Sequence, residues 1–159
     1  HSPRLRPVGS PARLRGLRLG RGPGGEPRPL PCGEVGARTV NEDLRGRSTA
    51  EVFDDHLRLA GEHRFEEDIE RNVSPDCVIL DRRGVFHGSQ GARHLAGLLA
   101  EELPGAPYVY TNRLVEDRFA FLEWTSVAPH ARVRDGADSF VVENGWIVAQ
   151  TIHYTVEAI

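Results

Sequence analysis

The 159-residue sequence contains no lysine, no methionine and only two cysteines. Cys32 and Cys77 lie far apart without the spacing of a metal site, and the apolar run around Cys77 is typical of a core residue. This pattern gives no sign of disulfides, so we expect a cytoplasmic protein. The sequence also lacks an apolar run long enough to span a membrane. Because even an initiator methionine is missing, we expect a fragment or a processed chain.

Positive charge is scarce in the larger part of the chain. Residues 48–159 have 10 arginines against 19 acidic residues, whereas residues 1–47 have 10 arginines against only 4 acidic residues. An acidic folded part argues against nucleic-acid binding, which requires a basic surface. We therefore expect neither a nucleic-acid partner nor a membrane partner.

Residues 1–47 are rich in arginine, proline and glycine and contain few apolar side chains. Such a composition cannot bury enough surface to offset the entropy of ordering the chain. We predict a disordered extension here, followed by a single domain over residues 48–159. A transit peptide and an arginine-rich arm for nucleic acid are the alternatives for the extension.

The domain sequence predicts helices and strands that are segregated along the chain. Ser48 and Glu51 form a capping box that begins the first helix. The predicted elements are helices over residues 49–63, 65–73 and 90–103, and strands over residues 77–81, 85–88, 108–115, 119–128, 138–143 and 146–154. This order indicates an α+β fold with an antiparallel sheet. A strongly curved sheet of this kind can wrap the helices and leave a cavity between them.

The last two strands meet at Asn144-Gly145, a strong signal for a two-residue hairpin turn. In the register that this turn sets, Asp138 faces Thr151, and side chains alternate between two faces. The inward face then carries, among others, Asp138, Phe140 and His153. Because a buried carboxylate costs free energy unless it is paired or protonated, Asp138 is the first candidate for a functional residue. The alternative is a structural Asp that bonds a neighbouring backbone group or His153.

Three further residues stand out against apolar surroundings. His56 lies in the middle of the apolar stripe of the first helix, and it is either a satisfied core residue or a donor that lines a pocket. Asp81 ends an apolar strand; it is either a functional acid or a turn residue that pairs with Arg82 or Arg83. Trp124 is either a pocket wall or a core residue.

The element order, the pattern of the first helix, Asp81 at a strand end and Asp138 in the closing hairpin together resemble the nuclear transport factor 2-like superfamily. Within it, residues 48–157 look most like the SnoaL-like group, which includes polyketide cyclases and is similar to the ketosteroid isomerases. This resemblance implies a cone-shaped antiparallel or mixed sheet wrapped around three N-terminal helices, a cystatin-like α+β barrel. It also implies an apolar pocket and, often, a dimer.

The resemblance also assigns roles to individual residues. In the isomerases an Asp at the end of the first strand shuttles the proton, and Asp81 matches that position. A second Asp, which is kept protonated and donates to the substrate oxyanion, matches Asp138. His56 takes the place of the tyrosine that is the other donor. In the cyclases a single pocket Asp is both acid and base, a role that Asp138 with His153 would fill.

Two classes of function follow from these residues. The first is a cofactor-independent isomerase or cyclase that acts on an apolar, steroid-like or polyketide-like carbonyl compound, with Asp138, Asp81 and His56 as catalytic residues. Trp124, Phe140 and His153 would then contact the ligand. We expect no metal, because the candidate ligands come from separate elements without ligand spacing. The second class is a non-catalytic binding or dimerising module, which would pair through Trp146 and Tyr154 on the outer sheet face.

Overall fold

The computed structural model describes residues 44–159, so residues 1–43 of the predicted extension lie outside the described part. Over residues 49–159 the helices and strands are, in chain order, α1 (Thr49–Gly61), α2 (Phe65–Asn72), β1 (Val73–Asp81), β2 (Gly84–His87), α3 (Gly88–Glu102), β3 (Tyr108–Glu116), β4 (Phe119–Val127), β5 (Ala131–Glu143), β6 (Trp146–His153) and β7 (Glu157–Ala158). None of these helices is long and apolar enough to cross a bilayer.

The strands form one curved mixed sheet in the order β2-β1-β6-β5-β4-β3, and β7 pairs with β5. Within the described residues, β1 and β6 are the one parallel pair of neighbours. The three helices pack against the inner face of this sheet, where the core residues of both layers meet. The predicted cone-like α+β fold is confirmed.

The first helix begins as its sequence predicts. The Ser48 hydroxyl accepts a hydrogen bond from the Glu51 N–H at 3.3 Å, and the Glu51 carboxylate accepts one from the Ser48 N–H at 2.7 Å. This capping box satisfies two amides that would otherwise lack partners at the helix end. The buried stripe of α1 packs on the sheet, with the rings of Phe53 and Phe140 5.3 Å apart. The stripe therefore turns His56 toward the sheet.

Two strands are longer than predicted. β1 starts at Val73, directly after α2, rather than at the predicted residue 77, and it therefore includes Ser74-Pro75-Asp76. Proline is tolerated there because the pairing of β1 with β6 is irregular between Val73 and Val78. Likewise β5 begins at Ala131 rather than at the predicted residue 138, because the added residues pair with both β4 and β7.

The closing hairpin has the predicted turn but not the predicted register. Asn144 and Gly145 have φ of 51° and 77°, the left-handed backbone that a two-residue turn of this type requires. Val142 faces Ile147 as predicted, but Val141 faces Ala149, which leaves Val148 as an extra residue on β6. Such a bulge moves every later side chain of the strand to the opposite face.

The bulge changes which residues of β6 face inward. Asp138 faces Ile152 rather than Thr151. The His153 side chain lies on the outer face, 65% exposed, with Nε2 3.5 Å from the Asp135 carboxylate. Conversely, Gln150 and Tyr154, which the regular register places outside, are buried. The predicted position of His153 beside Asp138 is therefore wrong, and Tyr154 does not belong to the outer face.

Candidate active site

A cavity of about 120 Å³ lies between the helices and the inner face of the sheet. Its walls are mostly apolar, and they come from all three helices and from β1, β3, β4, β5 and β6. The polar side chains that line it are those of His56, Asp68, Asp81, Tyr108, Tyr110, Asp138, Gln150 and Tyr154. A few polar groups that converge in an apolar cavity are typical of a small-molecule site. The structure thus brings the three predicted catalytic residues and Trp124 to one cavity.

Asp138 is buried and lines this cavity from β5. The Trp124 indole N–H donates to its Oδ1 at 3.2 Å, and the Gln150 amide donates to its Oδ2 at 3.4 Å. Burial raises the pKa of Asp138 to about 6, although Trp124 and the nearby His56 favour the charged form. A carboxyl group with this pKa can accept and return a proton near neutral pH.

Trp124 forms a wall of the cavity, one of the two alternatives that its sequence context left open. Gly136 lies directly opposite it on β5, and a Cβ atom at this glycine would lie 2.4 Å from the indole ring. The rings of Tyr108 and Tyr154 pack against the indole at 5.6 and 5.7 Å. These contacts fix the direction in which Trp124 donates to Asp138.

His56 forms a buried pair with Asp68 of α2. Its Nδ1 lies 2.8 Å from Oδ2 and 3.0 Å from Oδ1 of the carboxylate. Burial alone lowers the pKa of His56, but the carboxylates of Asp68 and, further away, Asp138 outweigh it and hold the pKa above its ordinary value. Because Asp68 occupies Nδ1, the other ring nitrogen, Nε2, is left for a molecule in the cavity.

Asp81 lines the cavity and also pairs with an arginine. The cavity position expected of a functional acid and the arginine pairing expected of a turn residue therefore occur together. Its side chain is only 2% exposed, and it accepts from the Arg83 backbone at 2.6 Å and from the Arg83 guanidinium at 2.7 Å. Arg83 also donates to Glu102 at 2.6 Å, and Tyr154 donates to the other Glu102 oxygen at 2.6 Å. Both oxygens of Asp81 are therefore engaged, which leaves it less free to take a substrate proton.

Phe140 does not line the cavity, contrary to its predicted role as a ligand contact. It is fully buried between Phe53 and His56, whose imidazole meets the Phe140 ring edge-on at 5.2 Å. The imidazole thus covers Phe140 from the cavity side. Phe140 supports His56 rather than a ligand.

Two polar residues that line the cavity, Asp68 and Gln150, were not predicted, for different reasons. Asp68 could have been predicted from the sequence. Asp68 and Asn72 are polar residues on the same face of α2 as the apolar Phe65 and Ile69, at spacings of three and four residues. Gln150 could not have been, because its inward position depends on the bulge at Val148.

The sequence matches no family model, and it matches no sequence among the curated proteins. Solved structures do resemble the fold. A proposed ketosteroid isomerase from Kribbella flavida is 16% identical, with 70% of this chain and 79% of that chain covered and a TM-score of 0.57. A proposed polyketide cyclase from Sinorhizobium meliloti is 16% identical, with 65% and 94% covered and a TM-score of 0.52. A nuclear transport factor 2-like protein of unknown function from Cytophaga hutchinsonii is 14% identical, with 68% and 90% covered and a TM-score of 0.54.

These structures define the class of the fold. The chain has the nuclear transport factor 2-like fold, as the order of its elements predicts. Identities of this size establish the architecture and not the reaction, because one fold carries many functions.

Proposed function

We propose that the protein binds a small apolar carbonyl compound in this cavity and catalyses proton transfer next to the carbonyl group, as an isomerase or cyclase does. The observation that supports this proposal most is that Asp138 and the His56–Asp68 pair line the same apolar cavity. Such chemistry needs a base whose pKa is near the working pH and a donor at the oxygen where charge develops. Asp138 meets the first need and His56 the second.

In the proposed reaction, the ionised Asp138 carboxylate accepts the proton from the carbon next to the carbonyl. The C–H bonding electrons move into the enolate, and protonated His56 donates from Nε2 to the oxygen that gains charge. Asp138 then returns the proton to carbon, at a different position in an isomerisation. The proton is conserved and nothing is oxidised or reduced, so the reaction requires no cofactor. This scheme gives the shuttle to Asp138 rather than Asp81, because Arg83 engages both Asp81 oxygens.

The size of the cavity favours a one-ring substrate. Its volume of about 120 Å³ is close to that of a cavity, roughly 150 Å³, that binds benzene in another protein. A four-ring steroid or a multi-ring polyketide would require the cavity to open further. Within the predicted steroid-like or polyketide-like range, we therefore propose a monocyclic compound.

A thermal-shift screen of one-ring enones, steroids and aromatic polyketides tests the binding step. We expect a one-ring enone to stabilise the protein, by about 2.7 kcal/mol at 100 times its Kd. The shift should shrink in Asp138→Asn, measured from the baseline of that variant, and persist in Asp135→Asn, which changes an exposed carboxylate of the same strand. A ligand-induced shift of the same size in wild type and in Asp138→Asn would exclude Asp138 from the site.

Binding without turnover is the second candidate function. It is favoured by the contacts of Arg83 with Asp81, because they leave one of the two predicted catalytic aspartates less free to exchange a proton with a substrate. A ligand that binds at Asp138 but never exchanges a proton would support this alternative.

We also propose that two copies of the chain pair through the outer face of the sheet. This face exposes large apolar side chains, among them Leu114 and Phe119, beside a shallow groove of about 350 Å³ lined in part by Phe121, Val141 and Ala149. Monomeric proteins rarely expose an apolar patch of this kind, and twofold dimers are the commonest oligomers.

Sedimentation velocity tests this pairing. We expect wild type to sediment as a dimer and Leu114→Arg as a monomer, because the new charge would be buried without a partner. Val85→Arg is the control: Val85 is 58% exposed, as Leu114 is, but it lies on β2 at the opposite edge of the sheet. A monomeric wild type, or a dimeric Leu114→Arg, would contradict the proposal.

A further inference from the structure

A chain of buried and partly buried hydrogen bonds leads from Arg47 to the imidazole of His56. Arg47 Nη1 donates to Asn72 Oδ1 at 2.8 Å, and Asn72 Nδ2 donates to Asp68 Oδ1 at 2.8 Å. Asp68 in turn bonds His56 Nδ1. Asn72 is 0% exposed and Asp68 4% exposed, so water does not replace these partners.

From Arg47 to Asp68, each hydrogen bond of this chain is donated by the residue nearer to Arg47. A guanidinium can only donate, so the Asn72 amide must present its oxygen to Arg47 and its N–H to Asp68. Oδ1 of Asp68 must therefore accept. The imidazole is the stronger base of the pair, and Asp68 raises its pKa further, so the shared proton lies on Nδ1 of His56. Arg47 thus sets the direction of the hydrogen bonds as far as Asp68.

Arg47 is held firmly enough to set this direction. Its Nη2 donates to the backbone oxygens of Arg71 at 2.6 Å and Gly145 at 2.9 Å, and its Nε donates to that of Leu44 at 3.2 Å. A Cβ atom on Gly145 would lie 2.0 Å from the Leu44 oxygen, so the backbone before α1 rests directly on the hairpin turn. Although Arg47 was assigned to the predicted extension, its side chain is part of the hydrogen-bond network of the domain.

We propose that Arg47 and Asn72 are positioning residues that limit how tightly the His56–Asp68 pair holds its proton. When this pair loses a proton, a buried carboxylate remains without a cation beside it. The Asn72 N–H and the charge of Arg47 stabilise that carboxylate, which makes the proton easier to release. Their part in catalysis rests on the proposed function, in which His56 donates to the substrate; their effect on the proton does not.

Other charged and titratable groups also face the pair, and the test must separate their effects from those of Arg47 and Asn72. Asp138 on β5 and Asp55 on α1 both favour protonated His56. Tyr110 on β3 is affected by the charge of Asp68, and burial raises its pKa beyond the range in which His56 titrates. Asp138, whose pKa is raised to about 6, is the cavity carboxyl group that also raises the pKa of His56. Asp138→Asn is therefore used as a second background.

NMR titration of the His56 ring in the full chain tests the proposal, with His56→Gln used to assign its signal among the 7 histidines. We expect Asn72→Leu and Arg47→Met to move the midpoint upward by about one to two pH units, since each removes a charge-assisted contact of the anion. Asp68→Asn should move it downward, below the ordinary value of 6.5. Arg45→Met is the control, because Arg45 is exposed.

The sign of the shift separates this role from a merely structural one. If Arg47 and Asn72 only hold the fold together, their loss would loosen the site, and the midpoint would fall toward the ordinary value of 6.5. A lowered or unchanged midpoint would therefore overturn the proposal. The Arg47 side chain is 13% exposed whereas Asn72 is 0% exposed, so Arg47→Met gives the answer even if Asn72→Leu does not fold. The titration needs no substrate, so its outcome is independent of whether the protein is an enzyme.

Discussion

Asp138→Asn is expected to stabilise the protein by about 3 kcal/mol above about pH 6 and to give no gain near pH 4. The folded pKa of Asp138, about 6, lies above the ordinary value of 3.8. A raised carboxyl pKa means that the fold favours the neutral acid. The contribution of Asp138 to stability is therefore present below the ordinary value and is lost as the pH rises through the folded value. Asparagine keeps the shape and remains neutral throughout.

Denaturant unfolding at about pH 4, 6 and 8 measures this difference. The variant amide would face Gln150, which can turn its own amide to accept from it. Asp135→Asn is the control, because it removes a carboxyl whose pKa is lowered, chiefly by the Thr155 backbone N–H, and should bring no gain at any pH. Equal stability of wild type and Asp138→Asn at about pH 8 would contradict the description of Asp138 as a buried acid.

Asp68→Ala is expected to destabilise the protein by about 3–5 kcal/mol at or below about pH 6. The change leaves His56 and the Asn72 amide without their shared acceptor in a buried site. The loss should shrink as the pH rises. The pKa of His56 is raised, so the stability that this pair contributes is complete below 6.5 and disappears as the pH passes through the folded value.

A matched control for this experiment lies on the same helix. Glu66 is a carboxylate at the surface, 66% exposed and paired with Arg93, so Glu66→Ala should cost no more than about 1 kcal/mol. Replacing both members of the buried pair, as in His56→Leu with Asp68→Leu, should restore part of the loss, since the imidazole is then no longer left unpaired and the Asn72 N–H is the one group that still lacks its acceptor. A cost below about 1 kcal/mol for Asp68→Ala at pH 6 would show that the pair is not a buried ion pair.

Much of the fold could be predicted because its signals are local. Asn144-Gly145 by itself predicts a two-residue turn, and the Ser48 capping box predicts where α1 begins. His56 and Asp138 were found because each interrupts an apolar pattern, and such an interruption is costly unless the structure provides a partner.

The remaining part of the site depends on contacts that no local pattern records. The bulge at Val148 lies between apolar residues that can face either side of the sheet. The alternation of polar and apolar residues along β6 therefore could not reveal that His153 faces outward and Gln150 inward. The bonds from Arg47 to Asn72 and Gly145 join residues 25 and 98 positions apart. Only the folded chain shows that they meet.

The most direct test of the proposed function is hydrogen–deuterium exchange at the carbon next to the carbonyl of a bound one-ring enone, followed by NMR in deuterated buffer near neutral pH. Wild type should exchange this position faster than buffer does, and Asp138→Asn should be slower than wild type by about 100-fold or more, the usual contribution of a general base. His56→Gln should also be slower, whereas Asp135→Asn should match wild type. Two results would contradict a role for Asp138 in proton transfer. In the first, an enone binds at Asp138 but exchanges no faster than in buffer. In the second, wild type and Asp138→Asn exchange the enone at the same rate.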